Sequence, residues 1–214
     1  MKKIIAAVIV IVFSLSFFLM WWNSFAHYSF DRDTGVLEIR GELSEEFFYR
    51  FKYGEEVKSI VASEDCIMPE YCNGLFEQTK YGMPNLELID LSKADFSRVQ
   101  STRYMFYDCN SLKTVDLSGV DAPELTDMLG MFWGCNNLTF VDMTGFSAPK
   151  ADNVMYMFKC CSILKTVDLG WIEINKDVQY RDIFVGCYEI EPKNLHSINI
   201  QSLMKWKENH SVKK

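Results

Sequence analysis

From residue 86 onward the apolar positions follow two signatures that alternate along the chain. The first is Leu-x-x-apolar-x-apolar: LELIDL at 86–91, LKTVDL at 112–117, LTFVDM at 138–143 and LKTVDL at 164–169. LHSINI at 195–200 continues it after a five-residue slip, and VKSIVA at 57–62 fits it loosely. A strand alternates its side chains, so the fourth and sixth residues face inward while the first anchors the strand's entry. The second signature is Met-Phe-x-x-Cys, at 105–109, 131–135 and 157–161. Around the middle copy, Leu125, Met128, Met131, Phe132 and Cys135 fall three to four residues apart. That spacing makes one apolar stripe and predicts a short helix. Each unit then reads as a helix turn, a bend, a short strand and a return loop. SGVDAP (118–123) and TGFSAP (144–149) are such loops, broken by Gly and Pro.

The interval between copies is 26 residues. Phe106, Phe132, Phe158 and Phe184 form one column, and Cys109, Cys135, Cys161 and Cys187 form another. Fixed periods of 20–50 residues signal solenoids, propellers or arrays, because one unit cannot bury its own apolar edge. Stacked coils bring each column into contact with itself at roughly 4.8 Å per rung. YSFDRDTGVLEIRGEL (28–43) reads as two strands turning at Asp33-Thr34-Gly35, a hairpin able to cap the open end.

The stretch DMLGMFWGCNNLTFVDMTGFSAPKADNVMYMFKCC (127–161) resembles the 26-residue repeats of BspA-like bacterial surface proteins, a leucine-rich-repeat family of the cell exterior. The resemblance covers roughly 28–200 and implies adhesion or protein binding. The expected fold is therefore α/β: a leucine-rich-repeat solenoid of about five to six coils with an N-terminal hairpin cap, preceded by a hydrophobic helix. The expected organisation is 1–26 as signal peptide or anchor, 27–56 as cap, 57–203 as solenoid and 204–214 as a polar tail. The coil holding EQTKYGMP (77–84) is longer than the rest.

Residues 4–22 carry no charge and follow Lys2 and Lys3. Such a stretch is long enough to span a bilayer, with Trp21 and Trp22 at the interface. Ser24-Phe25-Ala26 also matches a small-x-small cleavage pattern. Both readings export the rest of the chain: one leaves it membrane-anchored, the other secretes it. The net charge of −7 becomes −9 without Lys2 and Lys3. A chain this acidic is a poor match for nucleic acid, whose phosphates require basic clusters.

Few residues suggest bond-making chemistry. There is no Gly-x-Ser-x-Gly, no His-Glu-x-x-His and no phosphate loop. The three His are scattered and no Cys-x-x-Cys pair occurs, so neither metal nor cofactor is expected and the chain reads as a non-enzyme. The column cysteines read as buried space-fillers. Cys66 and Cys72, outside the column, are the better disulfide candidates in an oxidising compartment.

The candidate binding face is the outward side of the strands. Asp90, Asp116, Asp142 and Asp168 occupy strand position five. At rung spacing they repel one another unless solvated, neutralised by Lys113 and Lys165, or bonded to local backbone. Position three reads Leu88, Thr114, Phe140 and Thr166. The expected partner-binding set is Phe140 with Thr114, Thr166, Asp116, Asp142 and Asp168. It would serve a monomeric surface protein that recognises a protein or glycan. The alternative is a structural spacer whose outward residues would be uniform. A second aromatic group, near Tyr107, Trp133 and Tyr156, is the fallback site.

Overall fold

The computed structural model describes residues 27–167, 169 and 178–190. Within them the chain winds into a parallel β-solenoid of about five turns. Seven strands form one sheet in chain order: β1 (His27–Asp31), β2 (Val36–Arg40), β3 (Ser59–Ala62), β4 (Leu88–Asp90), β5 (Thr114–Asp116), β6 (Phe140–Asp142) and β7 (Thr166–Val167). β1 and β2 are antiparallel, joined through a turn that Gly35 closes at φ +77°. Every later pair is parallel. The register Leu88↔Thr114↔Phe140↔Thr166 shows that the sequence period is one lap of the coil.

Among the described residues the expected helices are absent from the regular coils, which corrects the α/β reading to a mostly-sheet fold. The described helices are α1 (Glu45–Arg50), α2 (Gln78–Tyr81) and one 3-10 turn, Gly54–Glu56, all outside the regular coils. The Met-Phe-x-x-Cys segments are instead ladders of tight turns. The N–H groups of Tyr104, Phe106 and Asp108 donate across to the carbonyls of Leu129, Met131 and Trp133 in the next coil. The intervening Met105, Tyr107 and Cys109 donate back three residues within their own coil. Coils 128–135 and 154–161 repeat this alternation. Beyond its first turn an α-helix bonds its N–H groups internally, and here alternate ones tie the stack together. The turns require left-handed backbone at every fourth residue. Tyr104, Asp108, Tyr156, Cys160 and Asp182 adopt it at φ 53–64°.

The apolar stripe nevertheless faces inward as its spacing predicts. Met128, Met131, Phe132 and Cys135 are all at most 1% exposed. The Phe column stacks ring on ring: Phe106–Phe132 at 5.0 Å and 12°, Phe132–Phe158 at 5.1 Å and 3°, Phe158–Phe184 at 5.6 Å and 10°. Phe76 extends the column at 5.5 Å and 5° from Phe106. The sequence period misses it because the extra residues of that coil, folded as α2, displace it by four positions.

Each column thiol donates to the carbonyl of a Phe in the preceding coil: Cys109 to Phe76, Cys135 to Phe106, Cys161 to Phe132 and Cys187 to Phe158, at 2.9–3.1 Å. These carbonyls lie in the core, where an unmade bond is costly. The cysteines are therefore bonded parts of the stack as well as filler. The expected N-terminal helix, the polar tail at 204–214 and the strand at 195–200 lie outside the described residues.

Candidate functional site

Strand alternation on the sheet wall turns Ile89, Val115 and Val141 into the core and leaves position three outward. Leu88 and Phe140 are 40% and 41% exposed, with Thr114 between them in register. The smaller Thr leaves a trough between two apolar walls. The resulting groove, about 190 Å³, is lined by Leu88, Asp90, Thr114, Asp116, Phe140 and Asp142. Thr166 continues the row in β7 and is half-buried. Asp168 lies outside the described residues.

Local backbone holds the Asp column in place. Asp90 Oδ1 accepts from the Ser92 N–H at 3.0 Å and from its hydroxyl at 2.7 Å. Asp116 accepts from the Ser118 N–H at 2.8 Å, and Asp142 from the Thr144 N–H at 3.0 Å. Short acids bond their own backbone two residues on in this way. One oxygen of each carboxylate thus anchors the turn after its strand, and the charge remains on the sheet face. Lys113 does not neutralise the column, because its Nζ pairs with Glu87 at 2.8 Å.

The turn wall carries a polar ladder that no sequence motif announces. Asp127 Oδ1 accepts from the Leu129 N–H and from Asn153 Nδ2, both at 3.0 Å, while Arg103 pairs with Asp127 Oδ2 at 2.9 Å. Ser101, Asp127 and Asn153 share a 26-residue column, but its residue types change, so no motif stands out. The fallback aromatics also lie on this wall. Tyr107, Trp133 and Tyr156 are half-buried and joined by Tyr104, which the sequence reading left out although it shares Tyr156's column. Burial first, then the Glu77 charge, raises the Asp108 carboxyl above its usual range.

The cysteines are all free thiols. Cys66 and Cys72, the disulfide candidates for an oxidising compartment, are buried and not bridged to each other, with Cys72 Sγ donating to the Pro69 carbonyl at 3.3 Å. Burial pushes Cys66 and Cys187 up to about 12 and raises Cys135 well above the ordinary thiol value. Only half-buried Cys160 stands apart. Among the described residues no cluster of His, Cys, Asp and Glu is arranged to hold a metal ion. Among the same residues no helix is long and apolar enough to cross a membrane.

Residues 71–207 match the family described as Mycoplasma protein of unknown function, DUF285, and the chain belongs to that family. No curated protein and no solved structure matches the chain.

Proposed function

For a member of this repeat family, we propose recognition of a protein partner through the sheet wall, without bond-making. The observation that carries the reading is the exposed pair Leu88 and Phe140 flanking Thr114 within a row of aspartates. Apolar anchors that become fully desolvated dominate interface energetics. Surrounding acids set the partner's sign and its rate of approach. The fitting partner is a segment with an apolar side chain beside Lys or Arg. The outward row varies from coil to coil, as Leu, Thr, Phe and Thr, which a uniform spacer would not need.

The strand signature supports a relationship of these coils to leucine-rich repeats, with turn ladders where helices were expected. The resemblance to BspA-like surface proteins supports an exterior location. So does the uncharged stretch 4–22, whether it stays as an anchor or is cleaved as a signal. Placement on the cell surface belongs to the same proposal.

The test is site-specific photo-crosslinking in cells making the full chain. A crosslinker at position 140 should give one protein adduct that weakens when Asp116 and Asp142 become Asn. The control position is Tyr71, 54% exposed and outside the groove. No adduct at 140, or the same adducts from both positions, ends the assignment.

A further inference from the structure

Beside the sheet face, the turn wall carries a second hollow, about 340 Å³, lined by Glu77, Tyr104, Tyr107 and Trp133. We propose that it is an aromatic cage for a quaternary or methylated ammonium group. The ring centroids lie 5.6 Å (Tyr104–Tyr107), 5.9 Å (Tyr107–Trp133) and 6.0 Å (Tyr104–Trp133) apart. That triangle is close to equilateral, so a cation centred over it is about equally far from all three rings. Tyr107 stands at 78° to Tyr104 and 80° to Trp133, and Tyr104 is tilted 49° from Trp133. A ligand seated against rings set at such angles meets more than one ring orientation, which suits a compact cation. A sugar would need them flat, as one platform under its face.

The charge of the site agrees. A carboxylate, Glu77, lines the hollow, and Asp108 lies beside Tyr107, raising the phenol of that residue above its usual range. The π faces of the same cluster already hold cations. Lys159 Nζ lies 4.0 Å over the Trp133 ring, and Arg103 Cζ lies 5.9 Å over Tyr104. Neither of these lines the hollow. Aromatic faces attract cations through their quadrupole, most effectively once the cation has shed its water. A methylated ammonium sheds water more easily than a primary one, and this favours rings with one acid over a pure salt bridge.

The turn ladder sets where the rings lie. Tyr104 occupies one of its left-handed positions, at φ +54°, as Asp108, Tyr156 and Cys160 do. Gly130 occupies the equivalent turn position in the next coil at φ +60°. A Cβ on Gly130 would lie 2.5 Å from the Tyr104 ring, so only glycine lets that ring settle there. Gly134 likewise leaves room for Asp108, whose Oδ1 would be 2.2 Å from a Cβ. Both glycines fall in the coil that follows Tyr104 and Asp108 in the stack.

The experiment is calorimetric titration of the full chain with tetramethylammonium and choline, with the Trp133 indole signal followed by NMR. The neutral isostere 3,3-dimethyl-1-butanol serves as control. The cations should bind with a Kd of about 1 mM or tighter, and the isostere at least about tenfold more weakly. Tyr104→Gly suits the left-handed backbone, so it should keep the fold and weaken cation binding at least about tenfold. Glu77→Gln, which removes the charge of a half-buried side chain and keeps its shape, should weaken it about threefold. The proposal is overturned if the cations fail to bind by about 100 mM, if the isostere binds equally well, or if neither variant shifts the affinity. Binding of a simple pyranoside in place of the cations overturns it as well.

Discussion

The aromatic rings at the start of the stack pack differently from those inside it. Within the repeats, four successive Phe pairs are parallel to within 3–12°. At the N-terminal end, Phe51 meets Tyr28 at 88° and Phe30 at 86°, and Phe47 meets Phe48 at 83°. Phe48 closes the column by standing at 70° to Phe76. Edge-to-face packing suits the ring quadrupole, and isolated aromatic pairs prefer it or an offset stack. Inside the solenoid, each coil is translated by one strand spacing, so equivalent rings must lie parallel. Where translation stops, most ring pairs turn edge to face, while Phe30–Tyr53 at 15° and Phe47–Phe51 at 27° stay stacked. Repetition therefore dictates ring geometry in the interior, and local packing dictates it at the end.

The largest consequence falls on the interior. Phe132 is fully buried between two stacked neighbours. Phe132→Ala should cost roughly 3–5 kcal/mol, with loosened coils on both sides. Urea unfolding measures it, and a loss under about 1 kcal/mol would show that stacking is not what holds the repeats. At the end, half-buried Phe51 makes edge contacts to three rings. Phe51→Ala should cost about 1–2 kcal/mol in the same assay. Equal losses at the two sites would erase the distinction between interior and end.

The thiol column sharpens it further. Burial, the first cause, raises Cys135 well above the ordinary thiol range. In the unfolded chain the same group ionises near pH 8.5. Its contribution is therefore complete below about pH 8.5 and is lost as pH rises toward the folded-state value. Cys135→Ala should flatten the alkaline loss of stability by up to about 1.4 kcal/mol per pH unit. Chemical denaturation at pH 8 and pH 10 tests this, and an unchanged slope would place the titration elsewhere. Adjacent residues give a kinetic version. Cys160 is half-buried, whereas Cys161 is buried and bonded to the Phe132 carbonyl. Maleimide labelling read by mass spectrometry should modify Cys160 first and reach the column only on unfolding.

The smallest effect is expected on the sheet wall. Phe140→Ala removes an outward side chain and should change stability by less than about 0.5 kcal/mol. Early melting by several degrees would make Phe140 part of the core and remove the anchor of the proposed interface.

Much of this architecture was open to reading because repetition exposes it. The Leu-x-x-apolar-x-apolar runs became strands β4 to β7 with their outward rows in register. The stripe through Met128, Met131, Phe132 and Cys135 identified the buried residues correctly and the backbone wrongly. Hydrophobic spacing reports which way a side chain faces. It does not report where the adjacent N–H goes, and a neighbouring coil that accepts half of those bonds removes the need for a helix. Of the expected sheet-face set, Thr114, Asp116, Phe140 and Asp142 line one groove, and Thr166 lies just beyond it in the same row. The hollow on the turn wall was partly visible in the chain, as the aromatic group near Tyr107 and Trp133. Glu77 follows Phe76 as Tyr107 follows Phe106 and Trp133 follows Phe132, but the four-residue displacement takes it off the 26-residue period, and Tyr104 gives way to Gly130 in its own column.

By itself, then, the sequence determined the solenoid, its 26-residue lap and the identity of its buried columns, since translation forces equivalent residues into contact. The tertiary structure alone decided the turn-ladder backbone, the thiol-to-carbonyl bonds and the approach of Glu77 and Tyr104 to Tyr107 and Trp133. Those features depend on which groups of one coil meet which groups of the next, and that pairing exists only after the coils have stacked.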